Sequence, residues 1–191
     1  VIKVKSVKSQ LYDNKYGYIQ LMSFQKNGKQ AIVNAISTLH QQSKQPLQGL
    51  IIDLRNNPGG LLHVAIEIAD LFLDPNDLKH NKLIVFTKGK NPGSNLNATA
   101  TEGEMLEGVP IVVLMNQGSA SASEVVAGAL QDHKRAIIVG RRSFGKGSVQ
   151  TIIPTLDGNG ALKLTTALYF TPSGRSIQAK GISPDLVVSD I

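Results

Sequence analysis

Apolar residues follow two patterns along this chain, and the two patterns alternate. Short continuous apolar runs predict buried strands of a parallel sheet, at residues 49–54, 111–115 and 136–139. Apolar stripes at the i, i+3, i+4 spacing predict amphipathic helices, at residues 28–44, 61–73 and 122–130. Strands that alternate with helices indicate an α/β domain, whose functional loops lie at the carboxyl ends of the strands.

The two ends of the chain show a β pattern instead. Residues 1–7 alternate apolar and polar side chains, which predicts a strand with one solvated face, and residues 17–21 begin a second strand. Residues 161–170 also predict a strand, preceded by a turn at residues 157–160. Residues 87–110 lack periodicity, which predicts a surface loop or a small hairpin.

Composition narrows the class of protein. With 191 residues, of which 41% are hydrophobic, the chain fits one globular domain, taken as residues 1–191. The net charge of +6 comes from scattered basic residues without interleaved aromatics, which argues against nucleic-acid binding. The absence of cysteine excludes disulfides, thiolate zinc sites and a cysteine nucleophile. No cluster of His, Asp and Glu has ligand spacing, so we expect no metal and no cofactor.

A serine-rich loop and a lysine carry the candidate chemistry. Ser119, Ser121 and Ser123 follow the strand at 111–115 and open a helix, where free backbone N–H groups favour a developing anion. Lys146 lies between two glycines after the next strand, and in an extended chain it would share a face with Gln150. The pattern suggests a serine nucleophile with a lysine base. The residues alone leave open a simpler interpretation, in which the serines cap a helix and the lysine is solvated.

A second glycine loop follows the strand at 49–54. Gly59 and Gly60 can adopt positive φ and bring their amides close to a ligand, so they could face an oxyanion from a second direction. An ordinary turn between a strand and a helix explains the same residues. A Ser-His-Asp triad is less favoured, because all four histidines fall at helix surfaces, helix ends or a polar turn: His40, His63, His80 and His133.

Four motifs in this order resemble the carboxyl-terminal processing proteases, the tail-specific Ser–Lys peptidases of family S41. They are residues 53–60 (DLRNNPGG), 118–124 (GSASASE), Gly140 with 144–147 (FGKG), and 173–178 (SGRSIQ) through 181–185 (GISPD). The resemblance covers nearly the whole chain. It implies an α/β fold like that of ClpP and crotonase, with additional C-terminal β-strands.

The resemblance also selects site residues. In the family the nucleophile precedes the lysine by 25 residues, and this spacing selects Ser121 as nucleophile and Lys146 as base. It implies that Gln150 orients the lysine amine, since a neutral amide leaves the amine free to lose its proton. The implied oxyanion donors are the amide of Ala122 and one from Gly59 or Gly60, with Gly59 preferred.

The implied function is that of an ATP-independent serine endopeptidase that cleaves proteins near their C-terminus. Its partners would be protein or peptide substrates with an exposed C-terminal tail, which could pair with a strand edge at 149–153 or 161–170, and no nucleic acid. The family implies a periplasmic or membrane-associated location and leaves a homo-oligomer open. A non-catalytic domain that binds apolar ligands or peptides on the same fold is the alternative.

Family members usually carry a PDZ domain before this segment. The present sequence begins with Val and contains no such domain, no signal peptide and no apolar run of 18 residues. We therefore expect this chain to be a catalytic fragment, with its PDZ domain upstream and with low or unregulated activity by itself.

Overall fold

The computed structural model describes residues 5–90, 92–155 and 159–189. Within these ranges the chain forms two β-sheets and three α-helices. The strands are β1 (Val7–Tyr12), β2 (Tyr16–Leu21), β3 (Gly49–Asp53), β4 (Leu83–Gly89), β5 (Asn97–Thr99), β6 (Ile111–Met115), β7 (Ala136–Gly140), β8 (Ser148–Pro154), β9 (Ala161–Phe170) and β10 (Leu186–Val187). The helices are α1 (Gly28–Gln42), α2 (Leu62–Asp70) and α3 (Ala122–Asp132), with short 3₁₀ turns at His80–Lys82 and Pro92–Ser94.

The larger sheet has six strands in the order β1-β2-β3-β6-β7-β10. All neighbouring strands are parallel except β1, which pairs antiparallel with β2. Asp53 at the end of β3 is in register with Leu114 near the end of β6. The loops that follow these two strands therefore leave the same edge of the sheet side by side.

One face of this sheet lies in the hydrophobic core together with the apolar stripes of the three helices. Alternate strand residues point into the core and are fully buried, as Ile19, Val113 and Ile138 are. Burying each such side chain stabilises the fold by about 1.5–3 kcal/mol. The opposite face is more open, and Ile137, between two core residues of β7, is 56% exposed.

The smaller sheet has four antiparallel strands in the order β5-β4-β9-β8. Strands β8 and β9 form a long hairpin, of which β8 is the outer edge. Most of this hairpin projects from the body of the molecule, because β8 is exposed from Gln150 onward and β9 is exposed from Ala161 to Thr165. It carries four exposed aliphatic side chains: Ile152, Ile153, Leu162 and Leu164.

The α/β class and the additional C-terminal strands are confirmed. Of the predicted strand at residues 1–7, residues 1–4 lie outside the described part of the chain, residues 5 and 6 are not in a strand, and Val7 begins β1. The predicted turn at 157–160 also falls partly outside it. The predicted loop or hairpin at 87–110 contains the end of β4 and all of β5. Strand β5 pairs with the earlier part of β4, from Leu83 to Phe86. Within the described ranges, no helix has both the length and the apolar character needed to span a bilayer.

Candidate active site

The loops that follow β3 and β6 are joined through Asn57. This side chain is fully buried, and its amide donates to the Leu21 carbonyl at 2.7 Å. The Asn57 carbonyl accepts hydrogen bonds from the amide of Ala120 at 3.0 Å and from the hydroxyl of Ser123 at 2.9 Å. The two glycine-containing loops therefore form one connected unit at the edge of the sheet.

The three candidate serines differ in what their hydroxyl groups do. Ser119 is fully buried and its hydroxyl donates to the Leu54 carbonyl at 2.7 Å, and the equally buried Ser123 donates to Asn57. Both hydroxyls hold the loops together. Ser121 is only half-buried, and its hydroxyl donates to no acceptor among the described residues. This contrast, which the spacing of the serines alone does not reveal, distinguishes Ser121 from the other two candidate serines.

The backbone of Ser121 is strained. This residue precedes α3 with φ 56° and ψ −111°, a conformation that side-chain-bearing residues rarely adopt and that costs about 1–3 kcal/mol. The amide of Ser121 donates to Oε2 of Glu124 at 2.7 Å, and the amide of Glu124 donates to the Ser121 carbonyl at 2.9 Å. A strained turn from strand to helix is a known way to expose a serine nucleophile.

Gly59 packs directly against Ser121. Its φ is +103°, and a Cβ atom added to it would lie 2.8 Å from the Ala120 carbonyl oxygen and 3.0 Å from both Ser121 Cβ and the Ala122 nitrogen. Any side chain at this position would collide with backbone. Glycine is therefore required both for the backbone conformation and for the close approach of the two loops.

The hydrogen bonds made by the backbone amides near Ser121 indicate which glycine is able to donate to an oxyanion. The preferred candidate, Gly59, already donates its N–H to Oδ1 of Asn57 at 2.9 Å. Among the described residues, the N–H groups of Gly60 and Ala122 donate to no acceptor. The Gly59 carbonyl accepts from the amide of Phe24, so across the same trans peptide the Gly60 N–H points away from Phe24. The geometry therefore favours Gly60 over Gly59 as the partner of Ala122.

Glu124 is a site residue that the sequence analysis missed. Its side chain is fully buried and accepts four hydrogen bonds. Oε2 accepts from the amides of Ser121 at 2.7 Å and Lys146 at 2.9 Å, and Oε1 accepts from the Ser143 hydroxyl at 2.5 Å and the Gly145 amide at 2.6 Å. All four partners are donors, as an ionised carboxylate requires. The available signal was the Ser-x-x-Glu spacing at the start of a helix, which is typical of a capping box.

The backbone of Lys146 lies beside that of Ser121, because the amides of both residues donate to Glu124 Oε2, but the Lys146 side chain is exposed. Among the described residues, no hydrogen bond joins the Lys146 amine to the Ser121 hydroxyl. Gln150 is also exposed, and its amide donates to the Thr165 hydroxyl at 2.6 Å and to the Ser148 hydroxyl at 3.4 Å. Gln150 therefore bonds within the hairpin, and among the described residues no hydrogen bond joins it to Lys146. Lys146 and most of strand β8, which follows it, are exposed to solvent.

A buried ion pair supports the loop that carries the two glycines. Asp53 is fully buried and accepts three hydrogen bonds from the Arg55 guanidinium, the shortest at 2.7 Å, and one from the Tyr18 hydroxyl at 2.7 Å. Burial would raise the pKa of the Asp53 carboxyl group, but the hydrogen bonds from Arg55 and Tyr18 outweigh burial and lower it. Burial and the neighbouring Asp53 raise the pKa of Tyr18 to about 12.

The histidines lie elsewhere. His133 caps the far end of α3, about 16 Å from its start, and its ring contacts the Leu83 carbonyl at 2.6 Å. His40 and His63 are exposed on α1 and α2, and His80 is exposed in a 3₁₀ turn. Within the described ranges no group of three or more His, Asp and Glu side chains is arranged to hold a metal ion.

The α/β fold of this chain matches the solved structure of a photosystem II D1 C-terminal processing protease. The match defines the chain as a peptidase domain. The TM-score is 0.83 at 32% identity, and the match covers 98% of this chain and 49% of that one. The sequence profile of peptidase family S41 matches residues 15–188, and the chain belongs to that family.

Curated relatives extend this finding. A carboxy-terminal-processing protease of Bartonella bacilliformis is 51% identical over 191 residues, and a carboxyl-terminal-processing protease of Synechocystis sp. is 43% identical over 192 residues. Each match covers 98% of this chain and 42% of the relative. The chain therefore spans less than half the length of these relatives.

Proposed function

We propose that this chain is the catalytic part of a serine endopeptidase that processes the C-terminal ends of proteins, with Ser121 as nucleophile and Lys146 as base. One observation carries the proposal. Of the three serines in the loop, Ser121 alone has a hydroxyl that donates to no described acceptor, and its backbone is strained at the start of a helix. The nearby amides of Gly60 and Ala122 also donate to no acceptor within the described part of the chain. The names of the curated relatives support the same class of reaction.

The chemical steps follow from these positions. The neutral Lys146 amine takes the proton of the Ser121 hydroxyl as Oγ bonds to the carbonyl carbon of the scissile peptide. The amides of Ala122 and Gly60 bind the resulting oxyanion. The C–N bond then breaks, the lysine ammonium gives its proton to the leaving amine, and an acyl-enzyme remains. Water then loses a proton to the same amine and attacks the ester carbonyl carbon. The C–Oγ bond breaks, the lysine ammonium returns its proton to Ser121 Oγ, and the acid is released.

The proposal requires the Lys146 amine to reach Ser121. The Lys146 backbone already bonds to the same Glu124 oxygen as the Ser121 backbone, so rotation of the flexible lysine stem is the movement needed. A bound substrate would cover the exposed amine and exclude water. Gln150 could then exchange its bond to Thr165 for one to the amine.

The edge of β8 is the proposed substrate-binding strand. An extended peptide that pairs with this free edge would run past Lys146 toward Ser121, with alternate side chains against Ile152 and its neighbours. The remaining features are proposed from the family alone: an upstream PDZ domain that engages the substrate tail, and an extracytoplasmic location.

The test is cleavage of an unfolded protein by the 191-residue chain and by the same chain fused to an upstream PDZ domain. We expect Ser121→Ala and Lys146→Ala to abolish cleavage in both forms. Ser9→Ala and Lys29→Ala, which change exposed residues of β1 and α1, are the matched controls and should cleave like the wild type. A non-catalytic binding domain, which the separation of Lys146 from Ser121 favours, predicts binding of peptide without cleavage in every variant.

A further inference from the structure

The Glu124 carboxylate joins the two halves of the proposed site. Ser121 immediately precedes α3, whereas Lys146 lies in the segment that leads into β8. Their amides nevertheless bond to one oxygen atom, Oε2 of Glu124. Two backbone amides that share one acceptor are close neighbours, and neither can move without breaking or stretching its bond.

The second oxygen of Glu124 fixes the segment that brings Lys146 to the site. Oε1 accepts from the Gly145 amide and from the Ser143 hydroxyl, and that hydroxyl in turn accepts from the Ile182 amide at 2.7 Å. The carboxylate thus has two donors on each oxygen, which matches its full hydrogen-bonding capacity. No donor of this set belongs to a side chain that the proposed chemistry uses.

From these contacts we propose that Glu124 is the positioning residue of the reaction, an inference that rests on the proposed Ser–Lys function. It holds Ser121 in the strained conformation that exposes the hydroxyl, and it sets the distance from the lysine backbone to the nucleophile. Glu124 does not contact the reacting atoms. It acts through the backbones of the two residues that do, so its loss should lower the rate of chemistry and leave substrate binding on β8 intact.

A carboxylate is needed because all four partners are donors. Glutamine has the same shape, but its –NH₂ group would face two of these donors in place of an acceptor. The Ser143 hydroxyl can rotate to accept, whereas the Gly145 amide cannot. Glu124→Gln should therefore keep the fold, displace the 143–146 segment, and misplace Lys146 relative to Ser121.

The test measures kcat and KM for peptide cleavage by the full 191-residue chain, normalised to the folded fraction from circular dichroism. We expect Glu124→Gln to lower kcat about 10- to 100-fold, the cost of a misplacement of about 1 Å, with KM changed less than about twofold. Glu107→Gln removes the same charge from an exposed glutamate and should match the wild type. Equal kcat values for the two variants, or an effect confined to KM, would overturn the inference.

Two further comparisons distinguish failure of the proposed function from failure of the positioning inference alone. If Ser121→Ala and Lys146→Ala cleave as fast as the wild type, the proposed function fails and the inference fails with it. If those two are inactive while Glu124→Gln cleaves normally, only the positioning inference fails. Should Glu124→Gln not fold, Ser143→Ala decides, since it removes one donor to Glu124 and keeps the backbone bonds. A lower kcat at unchanged KM supports the inference, and wild-type kcat overturns it.

Discussion

The nucleophile and the base of the proposed site are held in different ways. Ser121 starts α3, a helix whose residues from Ala122 to Gln131 are all buried, and its loop is bonded to the neighbouring loop through Asn57. Lys146 precedes a hairpin that is largely exposed, and its own side chain is exposed. The part of the proposed site that would bind the oxyanion therefore lies against the core. The part that would supply the base and the substrate-binding edge, called the open half below, is exposed to solvent. Control of activity is expected at the open half.

The largest expected effect tests the open half. Lys146→Arg keeps the positive charge and most of the length of the side chain, but a guanidinium stays protonated and cannot act as a base. We expect kcat to fall about 10⁴-fold, the upper range for a general base, when peptide cleavage is followed in steady state. If Lys146→Arg retains most of the activity, the lysine supplies only charge and the proposed mechanism is wrong.

The next effect tests the rigid half. Gly59→Ala would place a methyl group 2.8 Å from the Ala120 carbonyl and 3.0 Å from the Ala122 nitrogen, which would push one oxyanion donor away. We expect a loss of about 10²-fold in kcat, equivalent to about 3 kcal/mol. Gly93→Ala is the matched control, because a Cβ at Gly93 meets nothing within 4 Å. Equal activity of both variants would show that the two loops are less tightly fitted than described.

A third prediction concerns the stability of the loop that carries Gly60. Asp53→Asn should lower the free energy of unfolding at pH 7 by about 2 kcal/mol, at the low end for a broken buried pair because Arg55 is partly exposed. The folded state lowers the pKa of Asp53, so its carboxylate stabilises the fold above the unfolded-state pKa of about 3.9. That contribution is lost as the pH falls through the folded-state pKa.

Urea unfolding at several pH values checks this prediction. The stability difference between wild type and Asp53→Asn should be constant from pH 5 to 7 and should shrink below about pH 4. A difference that is unchanged at pH 3 would mean that the carboxylate charge contributes nothing to stability.

The smallest expected effect tests whether β8, in the open half, binds substrate. Ile152 is 67% exposed on β8, so Ile152→Ser should change the free energy of unfolding by no more than about 0.5 kcal/mol. If β8 pairs with substrate, the same variant should raise KM for an extended peptide several-fold. Ile137→Ser, at a similarly exposed position on the other sheet, is the control and should leave KM unchanged. Equal KM values for the two variants would place the substrate elsewhere.

Local patterns were enough to predict most of the fold. The helix stripe at 28–44 and the strand pattern at 161–170 correspond to α1 and β9, because each depends on its own periodicity. The sequence analysis did not identify β10, since a strand of two residues is defined by its pairing with β7 and carries too little periodicity of its own. Strand β4 was also not predicted, although it has seven residues, and its inner side chains join the core from a separate sheet.

The candidate site was predicted less completely than the fold, because its contacts join residues that are distant in the sequence. Ser121 and Lys146 were reached through motif spacing, and their catalytic roles remain predictions. The choice between Gly59 and Gly60 depends on which amide is already bonded to Asn57, and only three-dimensional contacts decide that. Glu124 was missed because its four donors are spread over 25 residues of sequence and meet only in the folded chain.

The tight seating of α3 has a consequence for how such a domain can diversify. At Gly128, midway along the helix, an added methyl group would come within 2.8 Å of Thr171 Cγ2 and 3.1 Å of Ile182 Cδ1. A side chain at Gly128 would therefore force the side chains of Thr171 and Ile182 to move. Insertions and side-chain changes in the projecting hairpin meet no such restriction. Under the proposed function, changes in β8 and β9 would alter the cleavage preference and leave the loop that carries Ser121 unchanged.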